Sequence, residues 1–401
     1  MTRYFRTTLL VIIACGSASH ADDARFESRF IFPLDAQHNH AAGITELTDG
    51  SLLVSWYRGS GERKADDVAV FGSRLVQPGD SHKAEWSEPF IMADTPGFPD
   101  CNTCLMTDHQ GRVWLFWPVI IANSWESCIT RFRVADLPEG EGSLHWSRDE
   151  MILLKPDDFS MEASLELDKL VADIKRPLTD HESKVVRIVK ERLPDKMYQR
   201  LGWQPRCKPT VLPSGRILLP LYSDTYSLSL MAVSDDQGAS WYASKLLVGF
   251  GAIQPSVIRR NDGTLVALMR ENGYTGYIRQ SESHDDGLTW GDVTVSRIPN
   301  PGSGLDTIRL RNGNWVLVCN DTSEGRHRLS VLLSEDEGQS WPTRRTLEDN
   351  ESGSFHYPAI IQSKDGQIHV VYSYFVEEGK TIKHATFNED WIRSNRTAIH
   401  Q

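Results

Sequence analysis

The sequence has little cysteine, no long apolar run and no excess of positive charge. Its 401 residues include 6 cysteines, and 43 Lys and Arg stand against 54 Asp and Glu, which gives a formal net charge of −11. An acidic chain lacks the basic footprint that neutralises phosphates, so nucleic acid is excluded as a partner. No segment approaches the roughly 18 uninterrupted apolar residues of a spanning helix, so no membrane span is predicted.

The cysteines do not follow a metal-binding pattern. Cys101 and Cys104 form the only close pair, and a zinc site would need a second pair with matching spacing. A local disulfide stays open for this pair in an exported protein, whereas buried free thiols are the simpler interpretation. The His, Asp and Glu residues also lack metal-ligand spacing. The sequence therefore predicts no metal and no cofactor.

The first residues have the pattern of a targeting signal. Two arginines precede a short apolar run, and Ser19-His20-Ala21 is typical of a cleavage site. We predict a signal peptide at 1–21 and a mature protein at 22–401 that is periplasmic or secreted. Cys15 lies in a sequence that loosely resembles a lipoprotein processing site, so lipid anchoring there stays open.

A repeated turn organises the mature chain. A glycine turn followed by an apolar strand recurs six times, and another short apolar strand precedes each turn, so every unit begins with a β-hairpin. The turn glycines are Gly50, Gly111, Gly215, Gly263, Gly313 and Gly366. They are about 50 residues apart, except for one interval of roughly twice that length.

Three units also carry the pattern S-x-D-x-G-x-x-W, the Asp box, at residues 234–241, 283–290 and 334–341. Its Ser and Asp can bond the turn backbone, its Gly accepts a positive φ, and its Trp anchors the turn. A motif that recurs in several units is structural rather than catalytic. The predicted anchors of the six units are Trp86, Trp146, Trp241, Trp290, Trp341 and Trp391. We predict an all-β fold, a six-bladed β-propeller of four-stranded antiparallel blades.

The long interval between Gly111 and Gly215 contains a different pattern. At about 157–203 the apolar residues follow a helical period, and Thr179 to Glu182 forms a capping box. We predict a helical insertion between blades two and three. Its charged faces are typical of solvated surface, and a lid over the central channel is the functional alternative.

The strand ends carry the candidate site. In a propeller, the places where innermost strands begin and where second strands end meet at one mouth of the central channel. The strand starts carry His38, His40, Asp100, Asn102, Arg206, Lys208, Gln254, Asp306, His356 and Tyr357. The second-strand ends carry Tyr57, Arg58, Tyr222, Asp224, Arg270, Glu271, Asn320, Asp321, Tyr372 and Tyr374. So many charged and aromatic residues predict a binding or catalytic site at this mouth.

The residue types suggest an acidic ligand. Arg58 and Arg270, together with Arg326 or Arg328, would bind a carboxylate through bidentate hydrogen bonds if they converge. Because the protein is acidic overall, such a cluster would be a local exception to its charge.

Three further residues have types suited to catalysis. Glu62 and Asp66 lie in the loop after the second strand, where a shielded carboxyl could be a general acid, although a solvated loop explains them equally well. Tyr357 beside arginines could ionise and act as a nucleophile, although buried tyrosines usually only pack.

The Asp boxes, the hairpin units and the order of the Arg and Tyr residues resemble the bacterial exo-sialidases, within the broad group of sialidase-like Asp-box (BNR) repeat proteins. The resemblance covers nearly all of the mature chain except the helical insertion. It implies an arginine triad for the substrate carboxylate, a Tyr nucleophile activated by Glu, and an Asp acid/base on the first blade. Arg270 matches the second triad arginine, Arg326 or Arg328 the third, and Tyr357 the nucleophile.

The chain departs from that pattern at three places. His38-Asn39-His40 stands where the first triad arginine belongs, with Arg58 as a possible substitute. Gln254 stands at the position of the activating Glu, and an amide cannot act as a base. The acid/base loop is shortened, so Glu62 and Asp66 compete for the role. These changes favour a different acidic sugar, for example one in a uronate-bearing or sulfated polysaccharide.

Three functions stay open. The first is an exported sialidase-like glycoside hydrolase that removes a terminal acidic sugar from a glycan or polysaccharide. The second is a polysaccharide lyase, in which arginines neutralise a uronate while His or Tyr removes the C5 proton. The third is a non-catalytic carbohydrate-binding propeller. The predicted catalytic set is Tyr357, His40, Glu62, Asp66 and Gln254. The predicted binding set is Arg58, Lys208, Arg270, Arg326, Arg328, Asp306 and His356.

Overall fold

The computed structural model describes residues 24–76, 84–136, 144–249, 251–273 and 275–394. The predicted signal peptide at 1–21 and Cys15 lie outside these residues. Within them, no helix combines the length and the apolar character needed to cross a membrane.

The described chain forms six antiparallel sheets arranged as blades. Strand β1 (Phe26–Phe30) comes first and belongs to blade six. Blade one contains β2 (His38–Glu46), β3 (Leu52–Gly59), β4 (Ala69–Val76), β5 (Glu85–Trp86) and β6 (Phe90–Ala93). Blade two contains β7 (Cys104–Thr107), β8 (Val113–Ile120), β9 (Cys128–Asp136) and β10 (His145–Met151). Blade three contains β11 (Trp203–Pro205), β12 (Thr210–Val211), β13 (Ile217–Ser223), β14 (Leu228–Ser234) and β15 (Tyr242–Ala243).

The remaining blades follow the same order. Blade four contains β16 (Ala252–Arg259), β17 (Leu265–Glu271), β18 (Tyr277–Ser283) and β19 (Thr294–Pro299). Blade five contains β20 (Asp306–Arg309), β21 (Trp315–Cys319), β22 (Arg328–Ser334) and β23 (Thr343–Asp349). Blade six contains β24 (Ser354–Gln362), β25 (Ile368–Val376) and β26 (Gly379–Phe387), and β1 pairs with β26 as its fourth strand. The predicted six-bladed propeller is confirmed, and it is closed by a strand from the other end of the described chain.

An apolar core fills each seam between successive blades, and each core includes one predicted anchor tryptophan. Trp86 packs in the seam between blades six and one, and Trp146 packs in the seam between blades one and two. The next four seams, in chain order from blades two and three to blades five and six, contain Trp241, Trp290, Trp341 and Trp391. Removing about 200 Å² of aromatic surface from water stabilises the fold by roughly 5 kcal/mol before the entropy cost. The tryptophans therefore hold the blades together, as the repeat pattern predicts.

The Asp boxes bind their own turns. In the first box, Asp236 accepts hydrogen bonds from the Ser240 amide and the Ser234 hydroxyl, both at 2.9 Å, and the Gly238 amide donates to Ser234 Oγ at 2.7 Å. The same bonds recur in the other two boxes. These carboxylates are fully used by the turn, which agrees with a structural role.

The insertion between blades two and three is helical. It contains α1 (Phe159–Asp173), α2 (Asp180–Arg192) and α3 (Lys196–Arg200). The predicted capping box is present at the start of α2, where Thr179 and Glu182 bond each other's backbone amides. Phe159 and Leu167 of α1 are buried in the core of the seam between blades two and three. A short helix, α4 (Glu389–Arg393), carries Trp391.

The five cysteines in the described residues are free and buried. They are Cys101, Cys104, Cys128, Cys207 and Cys319. The close pair does not form a disulfide, so the simpler interpretation, buried thiols, is correct for this part of the chain.

Candidate functional site

Bulges in the first strands aim side chains into the mouth, the end of the channel where these strands begin. Pairing shifts within β2, β16 and β24, and each shift includes a residue with left-handed backbone: Ala41 (φ 54°), Gln254 (φ 55°) and Tyr357 (φ 55°). A bulge redirects the side chain that it carries. A left-handed residue other than glycine costs about 1–3 kcal/mol, and such strain concentrates at functional sites.

Tyr357 is the centre of the mouth. Its hydroxyl accepts a hydrogen bond from Arg270 Nη1 at 2.8 Å and another from Gln254 Nε2 at 3.2 Å. Its side chain is 8% exposed. A phenol oxygen that accepts two hydrogen bonds is held in one orientation.

Three guanidinium groups surround the Tyr357 ring. Their Cζ atoms lie 4.9 Å (Arg206), 5.7 Å (Arg326) and 5.9 Å (Arg270) from the ring centroid. Arg206 is 1% exposed and donates to the Pro358 carbonyl at 2.9 Å. Nε of Arg206 and Nε of Arg270 have no hydrogen-bond partner in the described part of the chain. The cluster therefore concentrates positive charge around Tyr357, which suits an anion.

Two uncharged histidines complete one wall of the mouth. The His40 ring centroid lies 4.3 Å from that of Tyr357 and 4.7 Å from that of His356, and His40 Nδ1 is 2.8 Å from Ser373 Oγ. Burial, followed by neighbouring positive groups, lowers the pKa of both histidines well below the usual value. Both are therefore neutral at physiological pH.

Glu62 joins the mouth from the loop of blade one. It accepts from the Tyr57 hydroxyl at 2.9 Å and lies 3.3 Å from His38 Nε2. The hydrogen bond from His38 outweighs burial and lowers the pKa of Glu62. Asp66, the competing carboxyl, is exposed and accepts from Asn123 Nδ2 at 2.8 Å. Of the two, the structure brings only Glu62 into contact with other mouth residues.

Amide side chains form the opposite wall. Asn102 Nδ2 donates to Gln204 Oε1 at 2.8 Å and to the Tyr222 hydroxyl at 3.2 Å, and Gln254 Nε2 donates to the same hydroxyl at 3.1 Å. Gln204 Nε2 also bonds Asp224 at 3.0 Å, and burial raises the pKa of Asp224. Sequence reasoning gave Asp224 no role and missed Gln204, which lies two residues before Arg206 in the same first strand.

Two of the predicted arginines point elsewhere. Arg58 bonds Asp35 at 2.7 Å, and its Cζ lies 5.7 and 5.6 Å from the rings of Phe32 and Phe71. Arg328 bonds Asp349 at 3.1 Å on the outer part of blade five. Between the two alternatives for the third arginine, Arg326 is therefore the one beside Tyr357.

Lys208 and Asp306 are paired with each other. Lys208 Nζ bonds Asp306 Oδ2 at 2.7 Å, and the same carboxylate accepts from Ser256 Oγ at 2.7 Å and from the Ile360 amide at 3.0 Å. These partners belong to blades three, four, five and six. The pair ties four first strands together inside the channel, and its charges are already balanced.

One group of side chains in the described ranges has donor atoms close enough to share a metal ion: His327, Asp349 and Glu351. Asp349 already pairs with Arg328, and both carboxylates are exposed. That no metal is needed stays a prediction.

Comparisons with known proteins agree with this geometry. Residues 191–370 match the family of BNR repeat-like domains. The chain is 28% identical over 169 residues to a sialidase of Micromonospora viridifaciens, a match that covers 40% of this chain and 25% of the sialidase. The chain thus spans about a quarter of the length of that curated relative.

Solved structures share the fold. A protein of unknown function from Dyadobacter fermentans has a TM-score of 0.65 at 15% identity, over 92% of this chain and 99% of the other. The NanB sialidase of Streptococcus pneumoniae has a TM-score of 0.64 at 14% identity, over 90% of this chain and 70% of the enzyme. The repeat match and the sialidase relative make this chain similar to sialidase-like BNR-repeat proteins, and the solved structures share its propeller fold.

Proposed function

We propose that the protein is a glycoside hydrolase that binds the carboxylate of a terminal acidic sugar at the mouth and cleaves its glycosidic bond with Tyr357 as the nucleophile. The observation that carries the proposal is the Tyr357 hydroxyl, which receives the Arg270 guanidinium at 2.8 Å inside a ring of three arginines. Guanidinium groups at these distances stabilise negative charge that develops on the attacking oxygen in the transition state. The N-terminal pattern further supports an exported enzyme.

The reaction follows from these positions. Tyr357 Oη attacks the anomeric carbon and forms a new C–O bond, while the bond to the leaving oxygen breaks and that oxygen takes the proton that Tyr357 gives up. Water then displaces Tyr357 and restores it. Glu62 is the carboxylate that we assign to the second step, where it takes a proton from the attacking water and passes it to the released Tyr357, because its bonds to Tyr57 and His38 fix it within the mouth and its lowered pKa keeps it ionised.

Two departures from the sialidase pattern shape this mechanism. Arg206 places a guanidinium beside the nucleophile from blade three, and the position of the first triad arginine is occupied by histidines. Gln254 donates to Tyr357 and cannot remove its proton, so we assign the relay of that proton toward the leaving oxygen to His40, whose ring packs against Tyr357. Both changes support an acidic sugar other than the one that the sialidase pattern fits.

The test is Tyr357→Phe, which keeps the ring between the arginines and removes only the hydroxyl. We expect the release of reducing sugar from a panel of acidic glycans to fall at least about a thousandfold, the scale of a lost nucleophile. The control is Tyr374→Phe, because the Tyr374 ring packs against Phe30 and Phe355 outside the mouth. If the wild-type protein binds glycans but cleaves none of the panel, the hydrolase proposal is wrong and the protein is a carbohydrate-binding propeller.

A second candidate, elimination from a uronate, is favoured by Gln254 and His40. Arginine and amide donors would neutralise the uronate carboxylate, a neutral histidine would take the C5 proton, and the C4–O bond would break to leave a C4–C5 double bond. Such a product absorbs in the ultraviolet, and a hydrolysis product does not. A rise in ultraviolet absorbance that matches the release of reducing ends would show elimination and would overturn the proposed hydrolysis.

A further inference from the structure

A groove opens at the seam between blades four and five, away from the mouth. It has a volume of about 700 Å³ and lies beside the Asp box of blade five, next to Trp341 and Trp315. Each Asp box connects a third strand to a fourth. Because first strands begin at the mouth and successive strands run antiparallel, these turns lie at the opposite end of the propeller. We call this space the seam groove.

The seam groove is basic in an acidic protein. Arg260, Arg297 and Arg344 line it against a single acidic residue, Glu282. Arg260 pairs with Glu282 at 2.7 Å, and Arg344 pairs with Asp321 at 2.8 Å. Arg297 is exposed and has neither an ion pair nor a hydrogen bond within the described ranges. The groove therefore offers an uncommitted guanidinium, although the chain carries a net charge of −11.

Its other lining groups suit a sugar. Trp341 is partly exposed beside the groove. The side-chain amide of Gln280 also lines the groove and makes no hydrogen bond in this part of the chain. Aromatic faces pack against the apolar faces of sugar rings, and a free side-chain amide bonds hydroxyl groups. A volume of this size accommodates a short oligosaccharide segment.

We propose that the seam groove is a second glycan-binding site, which holds a segment of an anionic polysaccharide on the face opposite the mouth. Arg297 binds the carboxylate or sulfate, Trp341 packs against a sugar ring, and Gln280 bonds its hydroxyl groups. A chain held there raises the local concentration of polysaccharide around the protein, so the site acts as an anchor and takes no part in bond cleavage.

Affinity electrophoresis in native gels that contain polygalacturonate tests this site. The parent protein carries Arg270→Ala, which removes a mouth arginine so that the remaining retardation reports the groove. We expect Arg297→Ala in this parent to weaken the apparent affinity for polygalacturonate at least threefold. Increasing salt should also weaken the affinity of the parent, because it screens the charges. The matched control is Arg187→Ala, which removes an exposed arginine of α2 far from the groove in sequence.

A second variant guards against an indirect effect. Trp341→Phe keeps an aromatic anchor in the seam but shortens the surface that faces the groove, and it should weaken retardation while the melting temperature changes little. The proposal is overturned if Arg297→Ala and Trp341→Phe migrate like their parent, if polygalacturonate does not retard the parent, or if neutral dextran retards it equally. Because cleavage is not measured, failure here is distinguishable from failure of the proposed hydrolysis.

Discussion

Replacing Lys208 by Met distinguishes two roles for this residue, as one half of a structural ion pair or as a ligand of the substrate. The substitution keeps the aliphatic stem and removes the charge, so Asp306, which is 1% exposed, loses its cationic partner. Removing one partner of a buried pair typically costs about 3–5 kcal/mol. The Lys208 side chain is 25% exposed, so water screens part of the interaction, and we expect the free energy of unfolding to fall by about 2–3 kcal/mol.

Urea unfolding followed by tryptophan fluorescence measures this loss. The control is Lys245→Met, which breaks the more exposed pair with Glu162 and should cost less than about 1 kcal/mol. The double variant Lys208→Met, Asp306→Asn removes the unpaired charge and should recover part of the stability. If Lys208→Met unfolds like the wild type but raises KM for an acidic glycan, the reasoning is refuted and Lys208 is a substrate ligand.

Three further outcomes are expected. Burial lowers the pKa of His369 from 6.5 to about 4, so the folded protein binds this proton less readily than the unfolded chain does. The free energy of unfolding should therefore fall by up to about 3 kcal/mol as the pH drops from 6.5 to 4. His369→Gln should flatten that part of a pH–stability curve. Arg326→Gln should raise KM for an acidic glycan at least tenfold, whereas Arg328→Gln should leave it unchanged, and equal effects would contradict the assignment of the third arginine. Gly338→Ala should lower the melting temperature clearly, because φ is +86° and a Cβ would lie 2.6 Å from the Trp315 ring; an unchanged melting temperature would contradict this account.

The repeat architecture could be predicted because it depends on local chemistry. A glycine turn, an apolar strand and an Asp box each have a physical role within a few residues, and the same tryptophan recurs once per unit. Trp391 ends its unit on a short helix rather than on an Asp-box turn, yet it still fills the core of its seam.

The candidate site could be predicted only to the level of strand ends. A strand end fixes where a side chain starts but not its direction, since alternate residues face opposite sides of a strand. Arg58 lies at such an end and pairs with Asp35, and Lys208 turns to Asp306. Arg326 precedes β22 and reaches Tyr357, two residues before Arg328, which faces Asp349. The partners that decide these directions are distant in sequence.

The strand that closes blade six gives the mouth an order of assembly. Tyr357 and His356 come from blade six, which β1 completes by pairing with β26, whereas His40 comes from blade one, and their contacts cross the seam between these two blades. A ribosome delivers His40 more than 300 residues before Tyr357. A nascent chain therefore holds the two halves of the mouth apart until the last blade docks, and under the proposed function the onset of glycan cleavage during synthesis would report that the circle has closed.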